Sequence, residues 1–167
     1  MKITEPKIEQ RAAQPYMGIR TQVTMEEFGQ GVIPQLLGEV MGWLSSQGTG
    51  PTGAPFIRYH VINMPSLLDI ELGWPVASPL TGTDRIHAHT LPAGRYASLI
   101  FTGIENGIQG NGALLDWGHT RGLKWDQWET EHGDAFGARV ETEITNPADE
   151  PDPSKWETEV AIRLADE

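Results

Sequence analysis

Apolar and polar residues alternate one by one through several stretches of the chain and recur at three- and four-residue steps through two others. Successive side chains of a strand point to opposite faces. In WETEVAIRL at 156–164, Trp156, Thr158, Val160, Ile162 and Leu164 therefore share a largely apolar face, and Glu157, Glu159, Ala161 and Arg163 share the other. Leu68, Ile70, Leu72 and Trp74 alternate in the same way with Asp69, Glu71 and Gly73, which predicts one buried and one solvated face. Ile33, Leu36, Leu37, Val40, Met41 and Leu44 follow helical spacing. That helix is expected to end at Gly48, ahead of the loop-forming QGTGPTGAP.

The remaining elements complete a pattern. Residues 8–24 predict two short strands around a turn at Gln14-Pro15, and residues 56–63 and 67–76 predict a strand pair joined by Met64-Pro65-Ser66. Residues 77–85 (ASPLTGTDR) have loop composition and are expected to link two halves. Beyond them the same order returns, with strands at 86–90 and 94–102, a helix over 105–122, and strands near 135–145 and 156–164. Trp43 and Gly48 in WLSSQG are echoed by Trp117 and Gly122 in WGHTRG. The repeated order predicts one domain built by internal duplication, with a first module at about 6–76 and a second at about 86–164. The second helix holds Gly107, Gly110, Gly112 and Gly118, each costing roughly 1 kcal/mol relative to alanine. It must be held by packing of Ile104, Ile108, Leu114, Leu115 and Trp117. GIQGNG lies inside that helix with no lysine-serine or lysine-threonine pair after it, so it is not a phosphate loop.

Composition narrows the function. The chain has 167 residues, 38% of them hydrophobic, enough for a core. No apolar run approaches the ~20 residues of a spanning helix, and MKITEPKIEQ has no apolar stretch typical of a secretory signal. The absence of cysteine removes disulfides, thiolate nucleophiles and thiolate metal sites, and favours a cytoplasmic protein. Twelve Lys and Arg against 23 Asp and Glu give a net charge of −11 and no basic stripe, so direct nucleic-acid binding is not expected. An acidic chain tolerates a cationic ligand. Six tryptophans call for either core or aromatic site wall. His87 and His89 would share a strand face, a spacing zinc can use, but no third ligand stands at suitable spacing. No metal or cofactor is expected, and no Gly-x-Ser-x-Gly nucleophile motif is present.

The strand at 135–145 places Phe136, Ala138, Val140 and Ile144 on one side and Gly137, Arg139, Glu141 and Glu143 on the other. Paired with 156–164, it would give one face carrying Glu141, Glu143, Glu159, Arg139 and Arg163. Two readings are open from this pattern alone. One is a solvated face of compensating charges, each exposed pair contributing ~0–1 kcal/mol. The other is a pocket wall.

IRYH at 57–60, DIELGWPV at 69–76, LPAGRYA at 91–97, ETEITNP at 141–147 and WETEVAIRL at 156–164 occur in an order and spacing that resembles the GyrI-like small-molecule-binding domain. This is also the effector-binding module of some MerR- and AraC-type regulators. The resemblance runs over about 6–164. It implies an α+β fold of two β-α-β-β modules related by a pseudo-twofold axis, with antiparallel sheets, helices on one side and a ligand cleft between the halves. It also implies a glutamate on the last strand, here Glu159, that meets cationic or electrophilic ligands in an aromatic-lined cavity.

Three departures stand out. Phe101, Ile104 and Glu105 replace the histidine, proline and tyrosine of a His-x-Gly-Pro-Tyr pattern; Glu143 replaces the tyrosine of Glu-x-Tyr; and Arg163 replaces a proline before the last aliphatic residue. The second makes a more acidic cleft the expectation. The ligand-binding candidates are Glu159, Glu143 and Glu141, walled by Tyr59, Phe56, Phe101 and Trp128. Trp43, Trp74 and Trp117 are expected in the core, while Trp125 and Trp128 lie in a connection suited to lidding a cleft.

The leading expectation is a binding protein for hydrophobic, cationic or electrophilic small molecules. It would stand alone, with no DNA-reading helix-turn-helix ahead of the first strand. One alternative is a hydrolase opening strained electrophiles, with Glu159 directing water. Another is a protein-interaction module, as the family's gyrase-modulating members imply.

Overall fold

In the computed structural model, which describes residues 2–63 and 65–166, the period-two stretches become strands of one 11-stranded sheet. They are β1 (Lys2–Ile3), β2 (Lys7–Arg11), β3 (Gln14–Val23), β4 (Phe56–Ile62), β5 (Leu68–Pro75), β6 (His87–Leu91), β7 (Gly94–Thr102), β8 (Gln127–Thr130), β9 (Gly133–Phe136), β10 (Arg139–Glu143) and β11 (Glu157–Arg163). The helices are α1 (Met25–Phe28), α2 (Val32–Ser46) and α3 (Gly107–Thr120), the last preceded by a 3-10 turn at Ile104–Asn106. The spatial order is β1-β7-β11-β10-β4-β5-β3-β6; β2 also pairs with β7, and β9 pairs with both β4 and β8. Every pairing is antiparallel. The fold is α+β, an antiparallel and strongly curled sheet with few helices.

Strands β3, β4 and β5 lie in the order β4-β5-β3, and β7, β10 and β11 lie in the order β10-β11-β7. The two sets meet where β10 pairs with β4. Register aligns them closely: Tyr16 faces Pro75 and Arg20 faces Glu71, while Tyr96 faces Arg163 and Ile100 faces Glu159. Tyr16 and Tyr96 thus hold like positions, as do Glu71 and Glu159.

One face of the sheet is covered by helices. Leu36, Leu37, Val40 and Leu44 of α2 bury against Met17, Ile19, Ile70 and Leu72. Leu114 of α3 buries among Leu99, Phe101, Val160 and Ile162. Fully burying one such side chain contributes ~1.5–3 kcal/mol. The opposite face carries a third cluster of Tyr16, Phe56, Tyr96, Ala138, Val140 and Ala161.

Several expectations change. Gln14 and Pro15 begin β3, where Pro15 lies opposite Thr90; the chain turns earlier, at Ala12-Ala13, and β2 joins β7 rather than β3. The turn between β4 and β5 is closed by the Ser66 amide donating to the Asn63 carbonyl at 2.9 Å, while Met64 lies outside the described residues. Strand β5 has no solvated face: Glu71 is fully buried, and a Cβ on Gly73 would stand 2.8 Å from the Tyr16 ring. The aromatic cluster of the second face covers it. The β8–β9 hairpin was not foreseen, and it interrupts the long strand expected at 135–145. Phe136 packs on the helix side, whereas Ala138 packs on the other. Alternation resets at Gly137, which passes so close to Asp126 that a Cβ there would lie 1.7 Å from its carboxylate.

Candidate site between the two helices

Helix α2 lies over β3 and β5, and α3 lies over β7 and β11. Between them the helix side of β4 and β10 is left with Ile57, Tyr59, Glu141 and Glu143, since Glu141 stands opposite Ile57 in register. Thr24 and Glu27 form a capping box that starts α1, and this short helix brings Phe28 to within 6.2 Å of the Tyr59 ring.

The Tyr59 hydroxyl donates to Glu141 Oε1 in a short contact, and Asn111 Nδ2 of α3 stands 3.5 Å from Glu141 Oε2. Arg139 Nη2 donates to Asn111 Oδ1 at 2.8 Å, with its guanidinium 4.8 Å from the Phe136 ring centroid. Arg139 Nε is buried with no hydrogen-bond partner among the described residues. Desolvation raises the Glu141 carboxyl pKa, only partly opposed by Tyr59, Arg139 and Asn111. Glu143 is raised by desolvation and then by the neighbouring Glu141 charge. Desolvation also raises the Tyr59 phenol, seconded by Glu141, and lowers Arg139. Between the two helices stand two desolvated carboxyl groups, with the Arg139 guanidinium acting on Glu141. Ile104, in the 3-10 turn ahead of α3, and Ile108, in its first turn, are 62% and 73% exposed, so they do not pack to hold the helix as expected.

The residues expected to form a site divide between the two faces. Tyr59, Glu141 and Glu143 come together here. Phe101 is core, buried under α3 against Leu114. Trp128 sits on β8, half exposed, and Trp125 packs inward against Gly118 instead of lidding a cleft. Phe56 and Glu159 belong to the opposite face. A single face carrying Glu141, Glu143 and Glu159 does not form, because Glu159 stands opposite Thr142 in register while Glu141 stands opposite Val160. Glu159 instead pairs with Arg11 at 3.0 Å, and Arg163 is held by Asp126 and Asp166.

A third carboxylate escaped sequence reading. Glu71 Oε1 accepts from the Tyr16 hydroxyl at 2.5 Å and lies 2.9 Å from His60 Nε2, while His89 Nδ1 is 2.5 Å from Oε2. Arg58 Nη1 donates to the same Tyr16 oxygen at 3.0 Å. Burial alone would raise the Glu71 pKa, but the hydrogen bonds with His60, Tyr16 and His89 prevail and lower it to about 2. No spacing in the chain signals this meeting, since its members come from β3, β4, β5 and β6. Among the described residues no group of three or more His, Cys, Asp or Glu is arranged to hold a metal ion, and no helix is long and apolar enough to cross a membrane.

Solved structures share this fold. EcmrR in its EcmrR-RPo complex with DNA aligns with a TM-score of 0.71 at 16% identity, covering 98% of this chain and 58% of that one. The chain therefore spans little more than half of the EcmrR chain. A hydrolase from Listeria innocua aligns with a TM-score of 0.62 at 11% identity, covering 96% and 92% of the two chains. SAV2435 bound to tetraphenylphosphonium aligns with a TM-score of 0.61 at 11% identity, covering 97% and 94%. No curated protein sequence matches the chain. The sequence profile of the GyrI-like small molecule binding domain matches residues 4–165, nearly the whole length, and the chain belongs to that family.

Proposed function

We propose that the chain binds hydrophobic, cationic or electrophilic small molecules in the crevice between α2 and α3, with Glu141 as the carboxylate that meets the ligand. The observation that carries this reading is the desolvated Glu141–Glu143 pair beside Tyr59, in which burial outweighs the opposing effects of Tyr59, Arg139 and Asn111 on Glu141. An entering cation favours the ionised form of both acids, and the Tyr59 and Phe28 rings add cation–π attraction of roughly 0.5–2 kcal/mol each. The exposed apolar side chains of Ile104 and Ile108, at the start of the helix that carries Asn111, suit the body of such a ligand. Tetraphenylphosphonium, carried by the similar SAV2435, has both features. The likeness to EcmrR suits an effector-binding role. The central carboxylate in this reading is Glu141 in place of the Glu159 that the family resemblance implies.

Calorimetric titration with tetraphenylphosphonium tests it. Glu141→Gln should weaken binding about tenfold, the factor that one ~1.4 kcal/mol contact contributes, while Glu159→Gln should leave the dominant affinity within about twofold. Equal affinity in wild type and Glu141→Gln would remove Glu141 from the site.

A second reading is favoured by the Glu141–Tyr59 contact. A carboxylate whose proton affinity is raised by desolvation, held by the Tyr59 hydroxyl, suits a general base that takes a proton from water as the water attacks an electrophilic carbon and passes it to the oxygen released. The likeness to the Listeria innocua hydrolase supports it. Mass analysis of strained electrophiles incubated with the chain decides the point: product from wild type and none from Glu141→Gln indicates turnover, and intact compounds from both indicate binding alone.

A further inference from the structure

His87 and His89 lie two residues apart on β6, the strand at one end of the sheet order. Register sets them opposite Gly18 and Tyr16, while Ala88 between them packs on the helix side. Both imidazoles therefore stand on the other face. They are exposed, with ring centroids 6.3 Å apart and planes 22° from parallel.

The two rings are held differently. His89 Nδ1 lies 2.5 Å from Glu71 Oε2, a carboxylate with no exposed surface. An ionised carboxylate can only accept, so Nδ1 carries the proton and the lone pair of the neutral imidazole sits on Nε2. Glu71 is fixed in turn by the Tyr16 hydroxyl at 2.5 Å and by His60 Nε2 at 2.9 Å. Side chains of β3, β4 and β5 thus set one tautomer and one orientation of a ring whose side chain keeps 44% of its surface exposed. A carboxylate that orients an imidazole in this way is the usual outer shell of a histidine metal ligand. His87 is held by a longer contact, 3.2 Å from Nε2 to the Asp84 carbonyl oxygen, and its exposed ring can turn toward His89.

We infer that His87 and His89 form a chelating site for a divalent transition metal ion, with Glu71 as the outer-shell carboxylate that orients His89. Imidazole suits zinc, nickel and copper, and copper(II) binds a given nitrogen site the most tightly of the three. Water fills the other positions, since among the described residues no group of three or more His, Cys, Asp or Glu is arranged as ligands. The partner that spacing alone does not reveal is Glu71, which arrives from β5 and acts on the ring rather than on the ion. Nearby charges tolerate a cation: Arg20 pairs with Asp69 and Arg85 with Glu39, and Arg58 meets Glu71 through the shared Tyr16 hydroxyl. The site lies on the opposite face from the crevice of Tyr59 and Glu141, so the two readings fail independently.

The test is equilibrium dialysis of the full chain against copper(II) at neutral pH, with electron paramagnetic resonance of the bound ion. One tightly held ion per chain is expected, with hyperfine structure from two imidazole nitrogens. His87→Ala and His89→Ala should each weaken binding about a hundredfold, the gain that linking two donors provides. Glu71→Gln should weaken it about ten- to a hundredfold with both ligands still in place. His119→Ala and His132→Ala should change nothing, and circular dichroism reports that each variant is folded. His87 is exposed and outside the Glu71 hydrogen bonds, so its replacement tests the site even if Glu71→Gln fails to fold. Unchanged binding in the His87→Ala, His89→Ala double variant would leave adventitious copper only and overturn the inference, as would a spectrum from a single nitrogen. Full affinity in a folded Glu71→Gln chain would overturn the role of Glu71.

Discussion

A carboxylate with no exposed surface is stable only where hydrogen bonds replace its lost water, and Glu71 meets that condition with three side chains. The folded chain keeps it ionised down to about pH 2, whereas an ordinary glutamate protonates near 4.5. Between those values the unfolded chain binds more protons, so stability rises with pH there. The stabilisation is on the order of 3 kcal/mol; it is complete above the ordinary value and is lost as pH falls toward the folded one. Glu71→Gln should therefore lower the urea midpoint most near neutral pH and converge with wild type in acid. A deficit that stayed constant across pH would reduce Glu71 to a packing role.

Glu141 has the opposite sign. Desolvation raises its pKa, so its contribution is greatest below the ordinary carboxylate value and is lost as pH rises through the folded one. Glu141→Gln has the shape of the protonated acid. It is expected to raise the thermal midpoint at neutral pH, with the gain fading in acid, while ligand affinity falls. Calorimetric scans at two pH values check this, and the combination of lost binding with gained stability is the behaviour of a strained site.

At the scale of elements, α3 shows how one residue type serves two purposes. From sequence, each of its glycines is a cost to the helix. In the fold, a Cβ at Gly110 would stand 2.5 Å from the Phe101 ring and one at Gly118 would stand 2.3 Å from Trp125. These two glycines are the seats of aromatic side chains, and the helix can approach Phe101 of β7 and Trp125 only because they carry no Cβ. Gly112 meets nothing within 4 Å. Gly112→Ala is thus expected to stabilise by ~0.5–1 kcal/mol, raising the thermal midpoint by about 2–4 °C per kcal/mol for a chain of this size. Gly118→Ala is expected to destabilise by ~1–3 kcal/mol through overpacking against Trp125. If both alanines stabilise, helix propensity outweighs packing.

The elements themselves were largely readable. Helix α2 and strands β4, β5, β7 and β11 fall where periodicity placed them, because each carries an apolar face at its own repeat, even in β5 where the other face is buried as well. The β8–β9 hairpin and the start of β3 were not readable. Polar GLKWDQWE and Gln14-Pro15 carry turn composition, and only pairing with β9, β5 and β6 makes them strands.

At the scale of the molecule, ligand binding couples to stability. A ligand that binds the folded chain alone stabilises it by about 2.7 kcal/mol at a hundredfold excess over Kd. Saturating tetraphenylphosphonium should accordingly raise the thermal midpoint of wild type, and at the same concentration raise that of Glu141→Gln by much less. An equal rise in both would place the ligand elsewhere in the chain.

The faces were the part hidden in the chain. Alternation within a strand is local, and it correctly separated Glu159 from Val160 and Glu141 from Val140. Whether Glu141 and Glu159 share a face depends on the register between β10 and β11 and on the reset at Gly137, both set by contacts distant in sequence. The same holds for Glu71, whose partners His60 and His89 arrive from two other strands. The sequence by itself determined the α+β class, most strand and helix positions and the GyrI-like family, because periodicity and local motifs survive without knowledge of the neighbours. Only the tertiary structure decided which carboxylate is desolvated, which is paired with arginine and which is locked by histidines. Desolvation and pairing are properties of what surrounds a residue, and register alone brings those surroundings together.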